Sequence, residues 1–477
     1  MNNNTEHLIE FPDDFLWGAS ASHFQVEGQP NEIEERLSDW SRWTQTPGNI
    51  SDGSSADRAC EFYRRYQEDI ELLQDLNLRA YRTSLNWAAL MPDEPSGSGE
   101  HAVFSPPVVD YYRALFSHLK ERDIKVFVTL FHFCLPDWLA RKGGWIAEDA
   151  DRHFETFARL AALHFGDLVD FWMTVNEPMA YVYQGYVAGN WPPGESHNYV
   201  DAFKAVKGML KGHGLAYHAL KAESAGAQVS FPNHWRLFAP ERKWHPLDQL
   251  VTHYRERVFN HCFPESIEAG ALKMPGPLSR QKAFKELEGD IPYLEGTMDF
   301  VGVNYYTREL SRFDLSWPPD YFGSRSPKTE YPVNALGWEI YPEGFYQVLT
   351  QDIRPYSLDG SGLARPVYIT ENGYAQRFSP EHSSGDWSIE DRARCEYLIS
   401  HLVVLKRAIE AGVNIKGYLH WSLTDNFEWS DGLTPRFGLV RVSYDSQERQ
   451  KRLSADLYAS VAESNRLDAN RETFKTP

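Results

Sequence analysis

Phe171-Trp172-Met173-Thr174-Val175-Asn176-Glu177-Pro178 is an apolar run that ends in a glutamate and then, at once, in a chain breaker. A run of this length reads as a buried strand, and Pro178 stops it. The same construction returns at Val367-Tyr368-Ile369-Thr370-Glu371-Asn372-Gly373, where Asn372-Gly373 is the breaker. A glutamate at the end of a buried strand is costly to desolvate unless it is partnered or used. Two of them imply a pair of working carboxylates.

Outward from these two stretches, short apolar or β-branched runs recur at 15–20, 78–85, 125–131, 171–175, 228–231, 299–303, 367–370 and 416–422. Helical stripes separate most of them. Phe62, Tyr66, Ile70, Leu73 and Leu76 fall at spacings of four and three. Tyr112, Leu115 and Leu119 draw a second stripe, and Phe154, Phe157, Ala161 and Phe165 a third. Cys395, Leu398, Leu402, Leu405 and Ile409 draw a fourth, stopped by Gly412. Strands alternating with helices give a parallel sheet, and eight such units give a closed (β/α)8 barrel. The expectation is one barrel over residues 1–477, with short polar tails at both ends and 466–477 frayed or extended. The polar, Gly- and Pro-bearing stretches 92–105, 312–335 and 375–388 read as loops elaborated on the C-terminal face of the strands.

Composition narrows the function. With 477 residues, 42% apolar and 24% charged, this is ordinary globular material. A net charge of −19 argues against nucleic acid and against anionic membranes or phosphorylated substrates. Cys60, Cys134, Cys262 and Cys395 have neither C-x-x-C spacing nor a His partner pattern, so buried free thiols are expected. The first ten residues carry no basic or apolar signal region, and no run is long enough to span a bilayer, so a cytoplasmic protein is expected. No His/Asp/Glu cluster has ligand spacing, and neither metal nor cofactor is expected. A homo-oligomer is left open.

The barrel scheme places chemistry at the C-terminal strand ends, and those ends are polar. They carry Gln25, Arg82, His132, Asn176-Glu177, Asn233-His234, Asn304-Tyr305-Tyr306, Glu371, and Trp421 with Asn426-Phe427-Glu428-Trp429 behind it. The residues at Asn233-His234 suggest no role by themselves. Many donors and acceptors, two carboxylates and indole faces in one pocket suit a polyhydroxylated ring.

From Phe11-Pro12-Asp13-Asp14-Phe15-Leu16-Trp17-Gly18 to Arg436-Phe437-Gly438-Leu439 the chain resembles glycoside hydrolase family 1, the retaining β-glucosidases and β-galactosidases. The resemblance is carried by Asn176-Glu177-Pro178, Thr370-Glu371-Asn372-Gly373 and Asp425-Asn426-Phe427-Glu428-Trp429. It implies hydrolysis of terminal β-D-glucosyl, β-D-galactosyl or β-D-fucosyl residues through a covalent glycosyl-enzyme. It further implies Glu177 as acid/base, starting protonated, and Glu371 as nucleophile, ionised from the start. Arg82, Asn304 and Tyr306 match the nucleophile's supports. Gln25, His132, Asn176, Trp421, Glu428 and Trp429 match the sugar-holding groups, with Glu428 as a carboxylate acceptor. Met179 and Trp338 fall on the aglycone side, with a gap-filling core position as the alternative for Met179. Two departures stand out. Phe133 and Met179 occupy positions where many relatives carry tryptophan. A 6-phosphoglycoside hydrolase and a non-catalytic sugar-binding relative are the alternatives. Glu428 argues against the first, and the presence of both glutamates against the second.

Overall fold

The eight runs fold as eight parallel strands in the computed structural model, which describes residues 8–28, 37–95, 102–224, 226–315, 323–377 and 391–469. They are β1 Leu16–Ser20, β2 Ala80–Ser84, β3 Lys125–Phe131, β4 Phe171–Val175, β5 in two pieces (Gln228–Ser230 and Pro232–Pro240), β6 Val301–Phe313, β7 Val367–Asn372 and β8 Ile415–Trp421. Each pairs with its successor, and β8 returns to β1 with Gly417 opposite Leu16 and Trp421 opposite Ser20. The sheet is thus a closed (β/α)8 barrel.

The break in β5 follows from Pro232, which has no N–H to donate to the ladder. The first piece pairs with β4 and the second with β6. Both β5 and β6 run past their expected ends at 231 and 303. Leu237 to Pro240 pair with Arg308 to Ser311. These residues form a ribbon above the barrel rim.

Helices occupy the outside because their apolar stripes have the helical period. α1 Phe62–Asp75, α2 Pro106–Lys120, α3 Ala150–Phe165, α4 Tyr199–Glu223, α5 Pro246–Glu256, α6 Pro342–Gln347, α7 Arg392–Glu410 and α8 Leu453–Ser464 follow the eight strands in turn. Phe154, Phe157, Ala161 and Phe165 on α3 are fully buried, as are Cys395, Leu398, Leu402 and Leu405 on α7. A strand period of two alternates the layers inside the barrel. Its floor is Ala80, Phe127, Met173, Phe300, Tyr368 and Leu419, with Phe127 and Phe171 stacked at 4.2 Å. Two residues further along, Arg82 and Thr129 begin a polar layer, joined by an Arg82 Nε to Thr129 Oγ1 bond of 3.2 Å. The floor carries stability and the layer above it carries the site.

Of the two readings of the tail, extended holds at its start. Arg466–Asp468 pairs antiparallel with Leu8–Glu10, because burying Leu467 ties the two ends together. Much of the three expected rim loops (96–101, 316–322 and 378–388) and the last residues of the tail lie outside the described residues.

Candidate active site

At the end of β4 the chain turns sharply. The Asn176 and Glu177 amides donate to the carbonyls of Phe131 and Pro232, both at 2.9 Å. Glu177 has φ +43°, a left-handed conformation, and Pro178 then opens a short helix, Pro178–Val182. Phe133 and Trp429, which line the same cleft, are also left-handed at φ +67° and +48°. A side-chain-bearing residue held there costs roughly 1–3 kcal/mol, and such strain collects at functional sites.

At the end of β7, Glu371 faces the barrel axis. Arg82 Nη1 donates to its Oε1 at 2.5 Å, and Tyr306 Oη donates to its Oε2 at 2.6 Å. Arg82 is fully buried. The Asn372-Gly373 step has a reason beyond stopping a strand. A Cβ on Gly373 would sit 1.8 Å from the Trp421 carbonyl oxygen, so only glycine lets the backbone behind Glu371 pass β8.

Amide side chains join the two glutamates. Asn176 Oδ1 accepts from Arg82 Nη2 at 2.7 Å, and Asn176 Nδ2 donates to His132 Nε2 at 3.2 Å. Asn304 Oδ1 accepts from Thr370 Oγ1 at 2.6 Å, while its Nδ2 donates to Glu177 Oε1 at 2.7 Å. Asn304, expected as a neighbour of Glu371, lies opposite it in the β6–β7 register, and its amide, oriented by the Thr370 hydroxyl, donates to Glu177.

The electrostatics reverse an expectation. Burial drives Glu371 up to about 7; Arg82 opposes this, Glu177 adds to it and Tyr306 opposes it. Burial also pushes Glu177 up, but His234, Asn304 and the Arg236 charge outweigh it and hold that carboxyl below its ordinary value. Two buried carboxyls that repel one another titrate as a pair. With no sugar bound, the pair therefore keeps one proton up to about neutrality. Glu428 also departs from the carboxylate expected of it. Burial, then Asp431, Glu371 and Glu177, push it well above the ordinary range.

The cleft between these groups is lined by Glu177, Glu371, His132, Tyr306, Trp421, Glu428 and Trp429, among others. Gln25 lies behind Glu428. Its Nε2 reaches Glu428 Oε2 and Asn426 Oδ1, each at 3.2 Å, and Ser22 Oγ orients its other end. Trp421 stacks on His132 at 6.0 Å and 20°. Trp338 is on the lining, tilted against Tyr306 at 5.3 Å.

Met179 is not part of this wall. It is buried in the core, and the same helical segment turns Ala180, Tyr183 and Gln184 toward the cleft. Phe133 is on the wall, backed by Trp191 at 4.8 Å. The Trp191-Pro192-Pro193 run was the available signal for that indole. His234 and Arg236 on β5 also line the cleft. The fold does gather one potential ligand triplet among the described residues, Glu94, Asp149 and His153. The Lys142 ammonium already bridges its two carboxylates at 2.7 and 2.8 Å.

Comparison with known proteins fits this geometry. The family model described as Glycosyl hydrolase family 1 matches residues 7–467. Beta-glucosidase A of Thermotoga maritima is 33% identical over 465 residues, 97% of this chain and 100% of that protein. A 1,4-beta-D-glucan glucohydrolase of Thermotoga neapolitana is 33% identical over 466 residues, covering 96% and 100%. A solved structure of a Thermotoga maritima family 1 glycoside hydrolase, complexed with a cyclophellitol analogue transition state mimic, superposes with a TM-score of 0.86 at 32% identity, covering 97% and 100%.

Proposed function

The chain belongs to glycosyl hydrolase family 1, and from that premise we propose that it releases terminal β-D-glucosyl residues, and β-D-galactosyl or β-D-fucosyl residues with them, by a retaining double displacement within one barrel domain. One observation carries the reading. Two glutamates at the ends of β4 and β7 line one cleft, each with its own set of donors.

Glu371 is the nucleophile. Arg82 and Tyr306 aim both of its oxygens and favour its charged form. Glu177 is the acid/base. In the first step Glu371 Oε attacks the anomeric carbon, and Glu177 gives its proton to the leaving oxygen. In the second, Glu177 takes a proton from water, whose oxygen displaces Glu371 from the sugar. The reactive form needs the proton on Glu177 and the charge on Glu371. That form has the same total protonation as the sugar-free pair, with the single proton moved from one carboxyl to the other. A pair that loses its proton at about 7 places the alkaline limb of kcat/KM near that pH.

Glu428, Gln25, His132 and Asn176 are read as the groups that hold sugar hydroxyls. Trp421 is the floor under the ring and Trp429 its outer edge, while Trp338 faces the aglycone side. No helix among the described residues is long and apolar enough to cross a membrane. Four buried free cysteines suit a reducing cytoplasm.

The test is the anomer first released from a 4-nitrophenyl β-glucoside, followed by NMR. Retention requires β-glucose before mutarotation. Release of α-glucose first would overturn the double displacement.

A further inference from the structure

Glu177 is held by a histidine whose own state is fixed from behind. His234 Nδ1 lies 2.9 Å from Glu177 Oε2. The other ring nitrogen, Nε2, lies 3.2 Å from Arg236 Nε. A guanidinium N–H only donates, so Nε2 is the bare nitrogen and the ring proton sits on Nδ1, pointed at the carboxylate. Arg236 has little freedom to release this grip. Its Nη1 bonds Glu309 Oε2 at 2.8 Å, Arg255 binds the other Glu309 oxygen, and its guanidinium lies 4.9 Å from the Phe259 ring centroid. His234 and Arg236 are two residues apart on β5, and therefore on one face of the strand.

Other groups surround this contact. Glu177 also meets Asn304 and Tyr306 from β6, Glu371 from β7 and Glu428 from beyond β8. His234 also meets Glu309, Phe259 at 5.5 Å and Tyr306 at 5.8 Å between ring centroids. The ring is buried, and both burial and the Arg236 charge oppose its protonation, with only the glutamates favouring it.

We propose that His234, locked as the Nδ1–H tautomer by Arg236, is the positioning residue of the acid/base Glu177 and sets the upper pH limit of turnover. The proposal rests on Glu177 being the acid/base. A neutral donor on Oε2 strengthens its bond as Glu177 loses its proton to the leaving oxygen, and so favours the carboxylate. His234 itself exchanges no proton, because Arg236 occupies the one nitrogen that could accept it. The sign follows. Favouring the carboxylate pulls the alkaline limb of kcat/KM to lower pH, and removing the donor releases the limb upward.

The experiment is the pH dependence of kcat/KM for an alkyl β-glucoside, whose leaving group needs protonation. It is read in the unaltered enzyme, His234→Phe, His234→Asn and Glu177→Gln. Phe keeps a flat ring and removes the donor. Asn keeps an amide N–H at the place of Nδ1. The expected result is an alkaline limb moved up by about half a pH unit or more in His234→Phe and unmoved in His234→Asn. If His234→Phe does not fold, His234→Gln, whose amide reaches past the Nδ1 position, reads the same loss. An unmoved limb in the donor-free variant, or an equal shift in the Asn variant, overturns the proposal. Glu177→Gln separates the two claims. If it abolishes the limb while His234→Phe leaves it unmoved, only the role of His234 fails. If it retains the limb, Glu177 is not the acid/base.

Discussion

Glu371 and Glu177 stand at equivalent ends of two barrel strands, yet their surroundings are of different kinds. Glu371 is held by a charge and a phenol, Arg82 and Tyr306, both buried. Glu177 is held by two neutral donors, Asn304 and His234. A full opposite charge favours the ionised carboxyl, although burial outweighs Arg82 at Glu371 while no sugar is bound. Neutral dipoles let it pass between two states at smaller cost. A nucleophile needs the first setting and an acid/base that alternates needs the second. The contrast in donors supports the proposed roles, with the proton passing from Glu371 to Glu177 in the reactive form.

The largest test of that contrast removes one side of it. Glu371→Gly leaves the buried Arg82 without its ion partner and should lower stability by about 3–5 kcal/mol, and the folded variant should lose about ten-thousand-fold or more of its turnover. Azide or formate in the vacated space should restore reaction with an activated glucoside and give the α-product. Substantial unaided activity would remove Glu371 from the role.

Glu177→Ala should divide substrates instead. Glycosides with poor leaving groups should lose about a hundred- to ten-thousand-fold in kcat/KM, whereas activated aryl glycosides should form the glycosyl-enzyme and stall. Equal losses on both would make the two carboxyls equivalent and erase the comparison.

How much of this could be read from the chain depends on where the information lies. The strands β3, β4 and β8 were legible to within a residue or so because their apolar runs are continuous. Arg82 and Tyr306 fall within β2 and β6, and Gln25 and Glu428 lie beyond β1 and β8, so their expected roles came from the family resemblance and not from their place in the strand pattern. The ribbon of β5 and β6 above the rim was not, because its residues alternate with charge and are stabilised by Arg236, Arg255 and Glu309, partners far apart in sequence. His234 was visible as a strand end without a role, since its meaning comes from a tautomer fixed by a side chain two positions on. Met179 was left between the aglycone side and the core because position after Asn176-Glu177-Pro178 does not say which face of the next helical turn is buried. The protonation order of the pair was beyond the sequence as well, for it depends on burial.

A smaller effect probes the sugar end, where Glu428 and Gln25 touch neither working carboxyl directly. Glu428→Ser should lower kcat/KM for plain glucosides by roughly 2 to 4 kcal/mol. It should also raise the ratio of 6-phosphoglucoside to glucoside turnover by replacing a large acidic side chain with a small hydroxyl. An unchanged ratio would mean that Glu428 does not face the sugar.

The central claim is that Glu371, and not its partner, bonds to the sugar. Incubation with a 2-deoxy-2-fluoro-β-glucoside bearing a good leaving group slows release of the intermediate, and mass spectrometry of the digested protein then locates the label. The account predicts one fluoroglucosyl group per chain, on the peptide that contains Glu371 and absent from Glu371→Gly. A label on Glu177 or Glu428, or rapid turnover with no labelled protein, would contradict it.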